Sequence, residues 1–190
     1  MKFIYILIAV LASSSVSSEE MLCMYPDSDT HELEQAKNCG PIKDGLLTVD
    51  SSLLKKMMWS KYGMQCIYMN YPTDKGWFYI NQNGLGRGSP FTHDNDCNWF
   101  QSGLAVGVTN GQVVYFNQVM DVVKATEYTW ASNFYEGYSK VCKGELTKEY
   151  DSHGEHYQLK GGQCGFIDRE FKVVVPVAYP YESTPKPTSS

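Results

Sequence analysis

Phe100-Gln101-Ser102-Gly103-Leu104-Ala105 (FQSGLA) returns as Phe134-Tyr135-Glu136-Gly137-Tyr138-Ser139 (FYEGYS), with the two Phe and the two Gly separated by the same interval. Each copy leads into an apolar stretch that closes with an aromatic or aliphatic pair and then Asn or Asp. These closings are Tyr79-Ile80-Asn81, Tyr115-Phe116-Asn117 and Phe166-Ile167-Asp168. Recurrence at a steady period is the signature of a stacked repeat, in which a unit that cannot bury its own apolar face is covered by its neighbour.

The best-preserved copy shows the nature of the unit. Val106-Gly107-Val108 runs through Thr109-Asn110-Gly111-Gln112 into Val113-Val114-Tyr115-Phe116. Asn-Gly between β-formers is a hairpin signal, because both central residues of the favoured two-residue turn need positive φ. Thr109 then faces Gln112 beside the turn, and Val108 faces Val113 as the next, non-hydrogen-bonded pair.

Laid on this unit, the last copy is longer by about fifteen residues. The excess falls in the polar stretch Lys143 to Lys160 (KGELTKEYDSHGEHYQLK), at the place of the Asn110-Gly111 turn, and reads as an elongated hairpin tip. The first copy is degraded: Tyr62-Gly63-Met64 stands for Ser102-Gly103-Leu104, and Ser60 replaces the Phe. After Ile167 a final partial copy retains Val173-Val174-Val175-Pro176 and Tyr179. The expected fold is therefore mostly β, an array of about three and a half hairpin units over residues 60–182.

The same register places two cysteines. Cys142 lies five residues after Gly137, as Val108 lies five after Gly103; Cys164 lies three before Ile167, as Val113 lies three before Phe116. They occupy the Val108/Val113 position, where Cα atoms approach to about 4.5 Å, at the close end of the disulfide range. Three pairings remain for Cys23, Cys39, Cys66 and Cys97. The local one, Cys23–Cys39 with Cys66–Cys97, is preferred, and the other two stay open.

The residues that carry the repeat also carry a family resemblance. Gly161 to Tyr179 (GGQCGFIDREFKVVVPVAY) resembles a WG β-repeat, whose units read roughly Gly-Lys-x-Gly-Tyr-Ile-Asp, a turn, Val-Val-Ile-Pro and Tyr. Phe100 to Ala105 is similar to that family's Phe-x-Glu-Gly-Leu-Ala segment. The match spans about residues 60–182. Departures are Val114 in place of the family's Gly, Lys124 in place of its Pro, and Cys at core-pair positions. The resemblance implies a β-repeat fold in a mostly bacterial family and brings no catalytic residues.

The flanks set the cellular context. Met1-Lys2, the ten-residue apolar run Phe3 to Ala12, and the small residues Ser13 to Ser18 read as a secretory signal (residues 1–18), cleaved after Ser17 or Ser18. The apolar run is too short to span a bilayer. Residues 19–59 read as an N-terminal capping segment with short helices, at Asp29 to Ala36 (DTHELEQA) and Ser51 to Trp59 (SSLLKKMMW). Residues 183–190 (STPKPTSS) read as a disordered tail. An even count of six cysteines, all after the signal and none in CxxC spacing, points to disulfides in an oxidising compartment.

A formal charge of −5 argues against nucleic acid and anionic lipid as partners. No catalytic motif, metal site or cofactor signature appears. His153-Gly154-Glu155-His156 lacks the rigid helical spacing of a metal pair. Asp94-Asn95-Asp96-Cys97-Asn98 starts like a calcium loop but has Trp99 where the turn glycine belongs. His31-Glu32 fails as a zincin motif because Gln35 stands at the second His position. Gly84-Leu85-Gly86-Arg87-Gly88 has no helix behind it to bind phosphate, and reads as a flexible loop.

Aromatic residues make up 14% of the chain, enough for both a core and a contact surface. Those that repeat belong to the core. The candidate binding residues are Trp99, Trp130, Tyr128, Tyr135 and Tyr150, with His153 and His156. The expected function is a periplasmic or secreted, non-enzymatic protein-binding module with no membrane insertion in its mature form. Its partner would be a toxin, a hydrolase or an envelope component, and an immunity or inhibitor role is the most concrete version. The alternatives are an envelope-polymer hydrolase with a carboxylate/His site between loops, and an envelope scaffold protein. Mass mapping of non-reduced digests should yield a peptide pair joined through Cys142 and Cys164; any other partner for Cys142 overturns the register.

Overall fold

The computed structural model describes residues 22–71, 75–89, 97, 100–154 and 156–188, so the signal segment lies outside the described residues. In chain order the elements are β1 (Leu22–Pro26), β2 (Leu33–Lys37), β3 (Ile42–Lys43), β4 (Leu46–Thr48), a single helical turn α1 (Ser51–Leu54), β5 (Met64–Asn70), β6 (Lys75–Asn81) and β7 (Leu85–Ser89). There follow β8 (Leu104–Thr109), β9 (Gln112–Asn117), β10 (Val122–Ala125), β11 (Trp130–Ala131), β12 (Tyr138–Tyr150), β13 (Tyr157–Asp168), β14 (Val173–Tyr179) and a 3-10 turn, Tyr181–Ser183. The protein is mostly β and its strands pair antiparallel. The three sheets run β2-β1-β5-β6-β7-β4-β3, β10-β9-β8 and β11-β12-β13-β14.

Each sheet contains one three-strand meander: β5-β6-β7, β8-β9-β10 and β12-β13-β14. The recurring sequence features build matching turns, one kind shared by the second and third meanders and the other by all three. Gln101 and Leu104 exchange both backbone hydrogen bonds, and Tyr135 and Tyr138 do the same. The residues between them are left-handed: Ser102 and Gly103 at φ 55° and 80°, Glu136 and Gly137 at 50° and 88°. The recurring Asn or Asp organises the second turn. Asn81 Oδ1 accepts from the Asn83 and Leu85 amides, Asn117 Oδ1 from Val119 and Asp121, and Asp168 Oδ1 from Lys172. This is an Asx turn, the local bonding these side chains favour over a continued strand.

Side chains alternate across a strand, so each hairpin has two faces. Here both are covered. Ala105, Val114 and Phe116 of the middle hairpin pack on Tyr79 of the first in one cluster. Val106, Val113 and Tyr115, on the opposite face, pack with Val141 and Ile167 of the third. The meanders thus stack as layers, and the Phe of each FxxG turn is wedged between two of them. Phe100 meets Tyr79 at 5.2 Å and Phe116 at 5.5 Å between ring centroids; Phe134 meets Tyr115 at 5.2 Å and Phe171 at 6.0 Å. Met120 and Phe171 occupy equivalent positions after the Asx turn and hold positive φ, 71° and 62°. Left-handed backbone costs a non-glycine residue about 1–2 kcal/mol. Their buried and half-buried side chains complete the two interlayer clusters, which offsets that cost.

Polar groups join the layers as well. Tyr115 is fully buried, and its hydroxyl lies 2.6 Å from Ser139 Oγ, which donates to the Ser132 carbonyl at 2.6 Å. Arg87 donates to the Met120 carbonyl through Nε and to Thr109 Oγ1 through Nη1, at 2.6 and 3.0 Å. Burial pulls its pKa down, opposed by Asp121.

One cross-strand position changes chemistry from layer to layer. Tyr68 pairs with Trp77 as an edge-on aromatic pair, Val108 with Val113 as an aliphatic pair, and Cys142 with Cys164 as a disulfide with Cα atoms 4.1 Å apart. The other disulfides are Cys23–Cys39 and Cys66–Cys97.

The structure departs from the sequence-based expectations in five places. Leu33–Lys37 is a strand paired with β1, in place of the helix expected over Asp29 to Ala36. Asp27 Oδ1 accepts from the Asp29 and Thr30 amides, and the Cys23–Cys39 bond ties down both ends of the hairpin. The second expected helix, Ser51 to Trp59, stops after one turn, and Met57 instead bridges to Asp27. The first segment joins the sheet of the first meander through β1, which pairs with β5, and the second follows directly on β4, which pairs with β7. Leu47, Val49, Leu53 and Met57 cover its outer face over Ile67, Phe78 and Ile80.

The glycine-rich stretch from Gly84 is not a flexible loop. Leu85–Ser89 is a strand between β6 and β4, and a Cβ at Gly86 would sit 2.7 Å from the Tyr79 carbonyl oxygen, so glycine permits the close approach. Val173–Tyr179 does not begin a fourth unit; it is the third strand of the third meander, paired with β13. Ser183 belongs to the 3-10 turn and not to a disordered tail.

Replacing Phe134 by Ala should lower stability by about 3–5 kcal/mol, since it opens a cavity between two layers. Ser139→Ala should cost about 1–3 kcal/mol by leaving the Tyr115 hydroxyl unpaired, and much of that loss should vanish in a Tyr115→Phe background. Urea unfolding measures both. Burial also pushes the Tyr115 phenol above its ordinary value near 10. Above that value the unfolded chain releases this proton first, so stability falls as pH rises, and Tyr115→Phe should flatten part of the fall.

Candidate functional site

Much of the sequence is consumed by stacking, which leaves the residues outside the layers for contact with a partner. Trp99 lies outside the described residues. Tyr128 is half-buried against the cluster between the second and third layers, with Lys143 Nζ 5.7 Å from its ring centre. Tyr135 is 72% exposed at the corner of the FxxG turn. Trp130 is half-buried, in β11 opposite Cys142, and meets Tyr181 edge-on at 5.2 Å.

Tyr150, His153 and His156 fall together on the inserted segment. The insertion is not a loose tip. After a bulge at Lys143/Leu146 the ladder resumes with Leu146↔Gly161, Thr147↔Lys160, Lys148↔Leu159, Glu149↔Gln158 and Tyr150↔Tyr157. It forms a two-stranded arm reaching about 15 Å beyond the body at about 3.3 Å per residue. Its turn is closed by the Asp151 amide donating to the His156 carbonyl and the Gly154 amide donating to the Asp151 carbonyl. The His153 amide donates to Asp151 Oδ1, and the His153 ring lies with Nδ1 3.2 Å from Ser152 Oγ. Both histidines are exposed, and among the described residues no cluster of His, Cys, Asp or Glu has metal-ligand geometry.

Alternation makes the arm amphipathic. Leu146, Lys148, Tyr150, Tyr157 and Leu159 share one face; Thr147, Glu149, Gln158 and Lys160 share the other. The polar face carries the ion pair Lys160–Glu149. The apolar face carries the ring contact Tyr150–Tyr157 at 5.7 Å, with Lys148 Nζ 4.1 Å from the Tyr157 ring centre. The two tyrosines remain 54% and 44% exposed.

A second aromatic pair lies near the arm on the body. Tyr157 lies close enough to Tyr181 to add to the upward push that burial gives the Tyr181 phenol. Tyr181 in turn meets Trp130. Lys140 Nζ sits 4.1 Å from the Tyr181 ring centre. The result is a stripe of two ring pairs, Trp130–Tyr181 on the body and Tyr157–Tyr150 on the arm, with Lys140 over Tyr181 and Lys148 over Tyr157. Stacked cations over aromatic faces and tyrosines with exposed hydroxyls are contact-surface chemistry. Tyr157, Tyr181, Lys140 and Lys148 do not stand out in the sequence as candidates. Pairing the residues of KGELTKEYDSHGEHYQLK about His153-Gly154 places Tyr150 opposite Tyr157, a signal the sequence does contain.

An open depression of about 470 Å³ is lined by Gln112, Lys124, Glu127, Tyr128, Phe171 and neighbours, with Lys124 6.0 Å from the Phe171 ring centre. Glu127 is paired with Lys143 at 2.7 Å and is the one acid among the described residues that line the depression. A smaller cavity of about 60 Å³ beside the Cys66–Cys97 bond is lined mainly by Met64, Cys66, Tyr79 and Phe100.

No protein-family model matches this chain, and no curated protein or solved structure matches it either.

Because their side chains stand in solvent, Tyr150→Ala and Tyr157→Ala should each change stability by less than about 1 kcal/mol in urea unfolding, far less than Phe134→Ala. A loss as large as that of Phe134→Ala would show the arm to be part of the core.

Proposed function

We propose that this chain is an exported protein-binding module that grips its partner with the arm and the aromatic stripe behind it. The observation that carries the reading is the arm itself. One of three stacked hairpins is extended by residues that no layer uses, and the extension presents tyrosines to solvent. Exposed aromatic anchors flanked by polar residues are the composition of interface hot spots. An elongated ribbon is convex and suits a concave partner, so the most concrete form is an immunity or inhibitor protein that places the arm in the cleft of a toxin or hydrolase.

Three disulfides are compatible with an oxidising compartment, which supports export. Among the described residues no helix is long and apolar enough to cross a membrane. The stack of three similar meanders supports the reading of the chain as a WG-type repeat.

The test is capture from the secreted or envelope fraction with the full chain and with a Tyr150→Ala/Tyr157→Ala variant of equal stability. A partner retained by the first should bind the second at least about 30-fold more weakly, the loss of one strong hot spot. A partner that is a hydrolase should lose activity on binding the unaltered chain alone. Equal binding by both forms removes the arm from the interface.

A further inference from the structure

We infer that the C-terminal turn Tyr181–Ser183 is the end cap of the array and the brace of the arm, standing where a fourth layer would stand. The brace function rests on the arm as the contact element; the cap function does not. In each layer two paired strand positions face the next layer. They are Cys66 and Tyr79 in the first, Val106 and Tyr115 in the second, and Lys140 and Phe166 in the third. The first two pairs are covered by Phe100 and Phe134, which enter with the following layer. Among the described residues no further meander covers the third pair.

The chain solves this with a change of residue and a turn. Where the earlier layers have Cys and Val, the third has Lys140, whose ammonium lies 5.7 Å from the Phe166 ring centre and 4.1 Å from that of Tyr181. Its Nζ donates to the Tyr181 carbonyl at 2.8 Å. Tyr181 is thus the counterpart of Phe134, set edge-on against Trp130. A lysine stem covers an aromatic surface while its charge stays at the rim, which gives the polar outer face that a terminal repeat requires.

The same turn reaches the root of the arm. Glu182 Oε2 accepts from the Gly161 amide at 3.1 Å, and Gly161 is the ladder partner of Leu146 beyond the bulge. Tyr181 and Glu182 therefore join the body strand β12 to the first rung of the arm. They are positioning residues that hold the arm's aromatic face in line with Trp130.

Hydrogen exchange on the full chain tests this without a partner, so its failure is distinct from failure of the capture experiment. Glu182→Ala should speed exchange of the Gly161 amide by about tenfold or more, and Tyr181→Ala should do so along β12 and β13 as well. Exchange in β9 of the second layer should stay unchanged in both, and Lys186→Ala, beyond the contacts of the turn, should leave the whole pattern unaltered. Unchanged exchange at Gly161 in both variants overturns the inference. So does an equal rise in β9, because the turn would then be an undifferentiated part of one cooperative core.

Discussion

A hairpin whose two faces are both apolar needs two covers, and that constraint organises this protein. β9 shows it most plainly: Val113, Val114, Tyr115 and Phe116 are consecutive, and all are buried. Such a strand is stable only inside a stack, since alternation sends successive side chains to opposite layers. Val114 and Phe116 look back to the first meander, and Val113 and Tyr115 look on to the third. The ends obey the same rule. The β1–β4 region and α1 close the outer face of the first layer. The third layer has, among the described residues, the Cys142–Cys164 bond, Lys140 and the turn Tyr181–Ser183 on its far face in place of an aromatic wedge.

The stack tolerates local costs where they give interlayer contact. Met120 and Phe171 hold left-handed backbone so that their side chains can reach the neighbouring sheet, whereas Gly84 at the equivalent place lies against Leu54 and its own missing side chain leaves the room. Tyr115 brings a hydroxyl into a fully buried site, and Ser139 with the Ser132 carbonyl satisfies it. The equivalent of Ser139 in the second layer is Ala105, buried against an aromatic cluster. The two interfaces are thus the same geometry executed once with carbon alone and once with a polar relay, and the relay fixes how the third layer sits on the second.

The arm is a different kind of structure. A two-stranded ribbon in water is marginal by itself. This one is held by a disulfide at its base, a ring pair near its end, a cross-strand ion pair and the Glu182 contact at its root. Holding an exposed ribbon in one posture reduces the conformational entropy lost on binding, which is how preorganisation raises affinity. That physical logic links the scaffold to the proposed role: the stack supplies a rigid base, and the arm supplies a contact surface that needs little ordering.

The hairpin unit, its register and the pairings that the register dictates were all legible in the residues alone. Asn110-Gly111 specifies a turn through its backbone, and a turn of known length sets which residues oppose each other, down to Cys142 against Cys164. Local chemistry of this sort is written in neighbouring residues. The readings of Asp29 to Ala36 as a helix and Gly84 to Gly88 as a loop fail because both segments take their conformation from partners distant in sequence. Strand β2 forms because β1 is beside it, and β7 because β6 and β4 flank it. The stripe was legible only in part. Tyr150 stands out as unmatched by the repeat, but joining it to Tyr157, Tyr181 and Trp130 requires the arm to fold back into a ladder and the C-terminal turn to dock on the last layer. Those contacts belong to the folded chain, because side chains far apart in sequence are brought together by packing, which no local preference encodes.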